Sequence, residues 1–290
     1  MGAALEHLLT SGGKRIRPAL VLLTGQMLGA PREKLVTLAA AVELLHTATL
    51  VHDDLIDGAL LRRGMPTLNA RWSPAATVLT GDFMFARAAK LAAETESQPL
   101  MKLFAITLAT IVNGELTQLF AARGVINREN YSQRIYSKTA SLFEMSTRAA
   151  AMVSPTGEEI TEAMRQYGYL LGMAFQIMDD ILDFTGDQET VGKPLGSDLL
   201  QGLVTLPTLY YIEAHGDDED IRLLADGGYG DRARVARLVE SIRSSEAIDR
   251  SLEEAKGYVK KALDLLEGMS PSQEKQALED LASYIVTRKI

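Results

Sequence analysis

Two short stretches govern what this chain can become. "LVHDDLID" at residues 50–57 and "QIMDDILD" at 176–183 place Asp53, Asp54 and Asp57, then Asp179, Asp180 and Asp183, in segments that are otherwise largely apolar. On a helix turning ~100° per residue, such a triplet occupies one face. Solvated like charges at this spacing repel by roughly a few tenths of a kcal/mol, and burying an unpaired one costs several kcal/mol. One triplet also reads as a solvated or capping helix end. Two with the same spacing, each followed by a glycine-containing basic loop, point instead to a hard divalent cation. Mg2+ fits, because it takes one or two carboxylates, keeps waters and recruits phosphate oxygens from a substrate. No EF-hand alternation of oxygen ligands is present, and the chain has only four histidines. His52 adjoins the first triplet and reads as structural. His46 lies seven residues before Asp53, ~20° around the helix, where it can hydrogen-bond a group held below a metal.

The surrounding sequence is punctuated as helix. Pro18, Pro31 and Pro99 stand at first-turn positions, and "SPSQ" at 270–273 has capping-box spacing from Ser270 to Gln273. Period-two alternation is not sustained anywhere. The pattern predicts helices near 4–11, 17–28, 32–57, 75–94, 99–122, 129–153, 157–184, 204–214, 219–226, 231–243, 247–267 and 272–288, with loops at 58–74 and 185–203. Hydrophobic residues at 47% suffice for a large core, and no low-complexity linker divides the chain, so residues 1–290 read as one all-α domain. The absence of cysteine excludes a disulfide framework and a thiol nucleophile and fits a cytoplasmic setting. A net charge of −8 argues against nucleic acid as a partner. Uninterrupted apolar runs reach only about ten residues and "MGAALEHLLTSGGKR" lacks a signal pattern, so no stable membrane insertion is expected.

Basic residues gather beside the triplets. "SGGKRIRP" supplies Lys14, Arg15 and Arg17 next to two glycines, without the spacing of a Walker loop. "LLRRG" supplies Arg62 and Arg63, "YSKTA" supplies Lys138 and Thr139, and "ETVGKPLGSDLLQG" supplies Lys193. Each alone reads as solvated surface. Together, in an acidic chain with two metal-type clusters, they suit two diphosphates, one held through metals and one held directly by Arg and Lys.

In order and spacing, "GGKRIRP", "HTATLVHDDLIDGALLRRG", "GDFMFARA", "YSKTASLFE", "FQIMDDILDFTGD" and "LGSDLLQGLVTLPTL" closely resemble the trans-isoprenyl diphosphate synthases, or polyprenyl synthetases, over most of the chain. The resemblance implies an isoprenoid-synthase helical bundle with a large central cavity, usually a homodimer. It implies that Asp53 and Asp57, with Asp54 nearby, and Asp179 with Asp180 and Asp183 bind Mg2+ bridging to an allylic diphosphate. Arg62, Lys138, Thr139, Gln176 and Lys193 would contact the same substrate; Lys14, Arg17, His46 and Arg63 would hold isopentenyl diphosphate. Gly13 and Arg15 belong to the same motif. The implied reaction ionises the allylic C–O bond, lets the isopentenyl double bond attack the cation, and passes the released proton to the departing diphosphate.

Two features depart from the family pattern. Many members carry Lys where this chain has Leu203, and many have another helix ahead of "GGKR". Members that stop at fifteen or twenty carbons tend to place bulky side chains near Ala48 and Thr49, which are small here; Leu45 lies one turn further, and Leu108, Ile111, Val112 and Phe175 are further candidate walls. The expectation is a product of thirty carbons or more, with farnesyl or geranylgeranyl diphosphate as alternatives. A class I terpene cyclase and a regulatory synthase subunit are the rival readings; both intact triplets and "GGKRIRP" oppose them. Arg288, near the end of the chain, reads as solvated surface, although terminal basic residues in relatives reach the active site.

Overall fold

The computed structural model describes residues 2, 6–8, 12–62, 64–120, 127–186, 195–225 and 230–288. In chain order the helices are α1 (Ile16–Met27), α2 (Arg32–Ile56), α3 (Leu68–Arg71), α4 (Pro74–Glu94), α5 (Gln98–Phe120), α6 (Arg128–Ile135), α7 (Ser141–Met152), α8 (Glu158–Thr185), α9 (Ser197–Leu200), α10 (Leu206–Ala214), α11 (Glu219–Ala225), α12 (Arg232–Arg243), α13 (Ala247–Leu266) and α14 (Gln273–Thr287). A π-helical turn, Tyr136–Ala140, joins α6 to α7. The described sheet is one antiparallel ribbon, β1 (Leu61–Arg62) with β2 (Met65–Pro66). The all-α expectation holds. The ribbon was not legible because its strands are two residues long, too short to show alternation.

The prolines behave as their missing N–H groups require: Pro31 caps α2, while Pro18 and Pro99 sit within the first turns of α1 and α5. The capping box at 270–273 does not form. The helix starts later, and Ser272 rather than Ser270 is its cap, accepting from the Lys275 N–H at 3.1 Å.

The chain forms two compact units: Met1–Thr107 with Leu142–Arg165 and Ser270–Leu278, and Leu108–Ser141 with Gln166–Met269 and Glu279–Ile290. In the first, α2 is the central helix and packs on α1 and α4, with Leu20, Leu35, Leu38 and Leu45 wholly buried. Gly25 permits the α1–α2 approach, since a Cβ there would lie 2.1 Å from Leu35 Cδ2. In the second, Phe184, Leu199, Leu238 and Ile242 anchor a core to which α8, α9 and α12 contribute.

By length and composition α2 and α5 would each be able to cross a membrane; 44% of the most apolar window is buried in α2 and 22% in α5. Counting uninterrupted apolar runs misses this, because single polar residues such as Thr107 and Asn113 break a run without making the helix polar. In α2 the apolar residues form the core just described. In α5, Val112, Leu116, Leu119 and Phe120 remain exposed.

Candidate functional site

The first aspartates occupy the last turn of α2, and the ribbon folds back on them. Arg62 Nε on β1 donates to Asp54 Oδ1 at 2.8 Å, and Asp54 is buried. The carboxylates therefore differ in environment: Asp54 is neutralised by Arg62, Asp53 is half-buried, and Asp57, at the helix end, is exposed. Arg62 thus meets a carboxylate of the triplet directly. Thr67 Oγ1 and Asn69 Nδ2 both donate to the Ala59 carbonyl, at 2.7 and 2.9 Å, fixing the turn that brings the ribbon back. His52 points away, toward α4, with Nε2 3.1 Å from the Val78 carbonyl and its ring against Phe85. Gly81 makes room for it, since a Cβ there would lie 2.3 Å from His52 Nε2. The structural reading of His52 holds.

The basic loop precedes α1 in left-handed backbone, with φ of 72° at Gly12, 147° at Gly13 and 51° at Arg15. Only the glycines take such angles without strain. Lys14 is exposed, and Arg15 pairs with Glu43. Arg17 Nη1 meets His46 Nε2 at 3.1 Å, and its guanidinium stacks 4.8 Å from the Phe143 ring centroid. Two residues far apart in sequence thus form one cationic corner. Of the expected chain-length residues, Leu45 and Ala48 are wholly buried, Ala48 against Val51, Leu68 and Met84. Thr49 is half-buried and donates to the His46 carbonyl at 2.8 Å.

The second cluster lies near the end of α8. Asp180 is buried, accepting from Tyr131 Oη at 2.7 Å and Gln176 Nε2 at 2.9 Å; Thr139 Oγ1 in turn donates to Gln176 Oε1 at 2.7 Å. This chain of hydrogen bonds ties the π-helical turn to the aspartates. Burial raises the Asp180 pKa from 3.8 to about 7, helped by Asp198 and opposed by the Gln176 and Tyr131 hydrogen bonds and by Arg134. Burial and the Asp180 carboxylate likewise push the Tyr131 hydroxyl well above its usual range. Lys138 Nζ lies 3.2 Å from Glu115 Oε1, and Gly114 lets α5 pass the turn closely, since a Cβ there would lie 2.5 Å from Ser137 Cβ.

Asp183 serves a different purpose from its neighbours. Its Oδ1 accepts from the Ser197 N–H and hydroxyl at 3.1 and 2.6 Å, and its Oδ2 from the Asp198 N–H at 3.1 Å. It therefore latches the start of α9, where Gly196 has φ of 69° and a Cβ would lie 2.2 Å from Val239 Cγ2. Asp179 is half-exposed and ion-paired to Arg288, whose side chain is 2% exposed. Arg288 is thus not solvated surface, as its place near the chain end suggested. Leu203 is half-buried on the loop before α10, where Arg134 Nη2 donates to the Val204 carbonyl at 2.6 Å. Arg63 and Lys193 lie outside the described residues.

Among the described residues no three acidic or imidazole side chains converge into a ready-made metal cage.

The polyprenyl synthetase profile matches residues 1–242. The chain belongs to the polyprenyl synthetase family. This polyprenyl synthetase is 42% identical over 291 residues to heptaprenyl diphosphate synthase component 2 of Geobacillus stearothermophilus, spanning 99% of this chain and 90% of the relative. The crystal structure of a polyprenyl synthase from Caulobacter crescentus CB15, complexed with calcium and isoprenyl diphosphate, superposes with a TM-score of 0.92 at 38% identity, covering 100% of this chain and 89% of that one. Heptaprenyl diphosphate synthase from Staphylococcus aureus gives 0.94 at 34%, covering 99% and 91%. The fold is therefore the isoprenyl-synthase all-α fold and the protein is a prenyltransferase of isoprenoid biosynthesis.

Sequence reading of this polyprenyl synthetase missed Tyr131, Glu115 and the burial of Arg288. Tyr131 and Arg288 partner acids 49 and 109 positions away, beyond any local pattern. Glu115 carried a weak signal, an acid on an otherwise apolar helix.

Proposed function

We propose that the enzyme condenses isopentenyl diphosphate with an allylic diphosphate in a Mg2+-dependent reaction, giving all-trans polyprenyl diphosphates of thirty carbons or more. One observation carries the reading. The first acid of each triplet, Asp53 or Asp179, is half-exposed, Asp54 and Asp180 are buried against Arg62 and against Tyr131 and Gln176, and Asp183 holds the α9 amides. Such an arrangement suits ligation by one or two carboxylates in each cluster. Asp53, Asp57 and Asp179 are assigned to Mg2+, and Asp54, Asp180 and Asp183 to shaping the clusters. Bound Mg2+ would offset charge developing on the diphosphate as the allylic C–O bond ionises. Lys138, Thr139, Gln176, Arg62 and Lys193 are assigned to the allylic diphosphate; Lys14, Arg15, Arg17, His46 and Arg63 to isopentenyl diphosphate. In the latter set, Arg17 and His46 already meet and need little reorganisation.

The chain-length assignment draws on the small Thr49 and on the two relatives named for heptaprenyl products. Because Leu45 and Ala48 are wholly buried, Thr49 is the position where a bulky substitution would shorten the product with least disturbance to the core.

Incubation with Mg2+, an allylic diphosphate and isopentenyl diphosphate, followed by chromatography of the dephosphorylated products, tests this reading. Isopentenyl-dependent chains of thirty or more carbons are expected, and chelation of Mg2+ should stop their formation. Products ending at fifteen or twenty carbons would overturn the length assignment. Cyclisation without isopentenyl diphosphate would overturn the condensation itself. The component 2 name of one relative favours a second reading, in which turnover begins only when a different subunit is added.

The exposed stripe Val112, Leu116, Leu119 and Phe120 on α5 recurs at helical spacing, and we assign it to a second copy of this chain. Light scattering should show a dimer, and the Leu116→Glu, Leu119→Glu double variant should shift it to monomer. A monomeric unmodified protein at micromolar concentration would refute the assignment.

A further inference from the structure

Arg288 continues the C-terminal end of α14, its N–H donating to the Tyr284 carbonyl at 3.0 Å. Its Nη2 donates both to the Phe175 carbonyl at 2.9 Å and to Asp179 Oδ1 at 2.5 Å, and its Cζ lies 4.1 Å from the Phe175 ring centroid. Phe175 and Asp179 are one turn apart on α8, so this single nitrogen bridges the backbone of one turn to the carboxylate of the next. The exposures of the pair are lopsided: 2% for the arginine side chain and 41% for the aspartate. Among the described residues, the Arg288 Nε is buried without a hydrogen-bond partner. A guanidinium sealed this way is costly unless a carboxylate pairs with it, and Asp179 does. The arginine therefore approaches Asp179 from the protein side, and the carboxylate keeps a solvent-exposed side.

We propose that Arg288 is a positioning residue that fixes the orientation of Asp179 for Mg2+, so that the C-terminal end of α14 helps build the second aspartate cluster. The proposal rests on the reading of Asp179 as a Mg2+ ligand. Groups that orient a metal-binding side chain usually contribute 10–100-fold to metal affinity, on the order of the loss expected here.

The test compares Arg288→Ala, Arg288→Lys and Asp179→Asn with the unmodified protein. The readouts are Mn2+ binding by paramagnetic resonance, as a probe for the Mg2+ site, and the Mg2+ and isopentenyl diphosphate dependence of elongation. Arg288→Ala should weaken Mn2+ binding and raise the Mg2+ requirement by ~10–100-fold while leaving the KM for isopentenyl diphosphate within about twofold. Added methylguanidinium should restore part of the loss in this variant, and methylammonium should not. Arg288→Lys, which keeps the charge but loses the planar fork, should fall between and serves if the alanine variant does not fold. Mn2+ binding unchanged in both arginine variants would overturn the proposal, as would an effect confined to the KM for isopentenyl diphosphate. Mn2+ binding unchanged in Asp179→Asn would overturn the assignment of Asp179 itself, a result separable from the first.

Discussion

Exchange of Asp53 and Asp179 together for asparagine is expected to lower kcat/KM for elongation by at least ~1,000-fold. Loss of metal-mediated charge stabilisation in the transition state costs several kcal/mol, and about 4 kcal/mol corresponds to that factor. Asparagine is the informative substitution. It keeps an oxygen for Arg288 to contact at position 179, whereas alanine would leave a buried guanidinium unpaired and confound inactivity with unfolding. Both side chains are partly exposed, so the helical circular dichroism spectrum should not change. The neighbouring acids supply the control. Asp54→Asn leaves an acceptor for Arg62 and should cost less than about tenfold, because Asp54 is spent on an internal pair. Steady-state kinetics with isopentenyl diphosphate at saturating Mg2+ measures both. Elongation by the double variant at the unmodified rate would remove the basis for reading either cluster as a metal site.

The contrast between Asp53 and Asp54 shows where sequence stops being informative. Helical periodicity located α2 and α8 to within a few residues, because long apolar stripes, opened by Pro31 in α2, leave little choice. The same periodicity placed three acids on one face and treated them as equivalent. What separates them comes from elsewhere in the chain: Arg62 arrives on a ribbon too short to predict, and Asp183 is claimed by amides of a four-residue helix. Tyr131 and Arg288 reach their acids through tertiary folding alone. The Arg17–His46 contact was partly legible, since both residues were singled out by type and motif, but their meeting depends on α1 folding back along α2. Motif order therefore pointed to the family, and how each carboxylate is held required the three-dimensional structure.

Asp180→Asn is expected to stabilise the metal-free protein at alkaline pH. The carboxyl is wholly enclosed, and burial raises its pKa to about 7, although Tyr131 and Gln176 both donate to it. In the unfolded chain it ionises near pH ~4. Between those values the unfolded state binds fewer protons than the folded one, so this group's contribution to stability falls as pH rises from ~4 to ~7 and then levels off. With the folded pKa raised from 3.8 to about 7, the loss approaches ~4 kcal/mol at ~1.4 kcal/mol per unit. Asparagine cannot ionise and escapes it. The network tolerates the change: Gln176 can turn its amide so that its oxygen accepts from the new side-chain NH2, and the Thr139 hydroxyl then accepts where it had donated. The melting temperature should therefore rise by roughly 5–10 °C at pH 8.5 and hardly move at pH 5. Tyr131→Phe should act in the opposite direction. It removes a hydrogen bond to a charged acceptor, worth about 1.5–3 kcal/mol, and lowers stability most at pH 8.5, where Asp180 is ionised. Scanning calorimetry of both variants at the two pH values reads the crossing directly. Equal shifts at pH 5 and pH 8.5 would mean that Asp180 does not change charge between them.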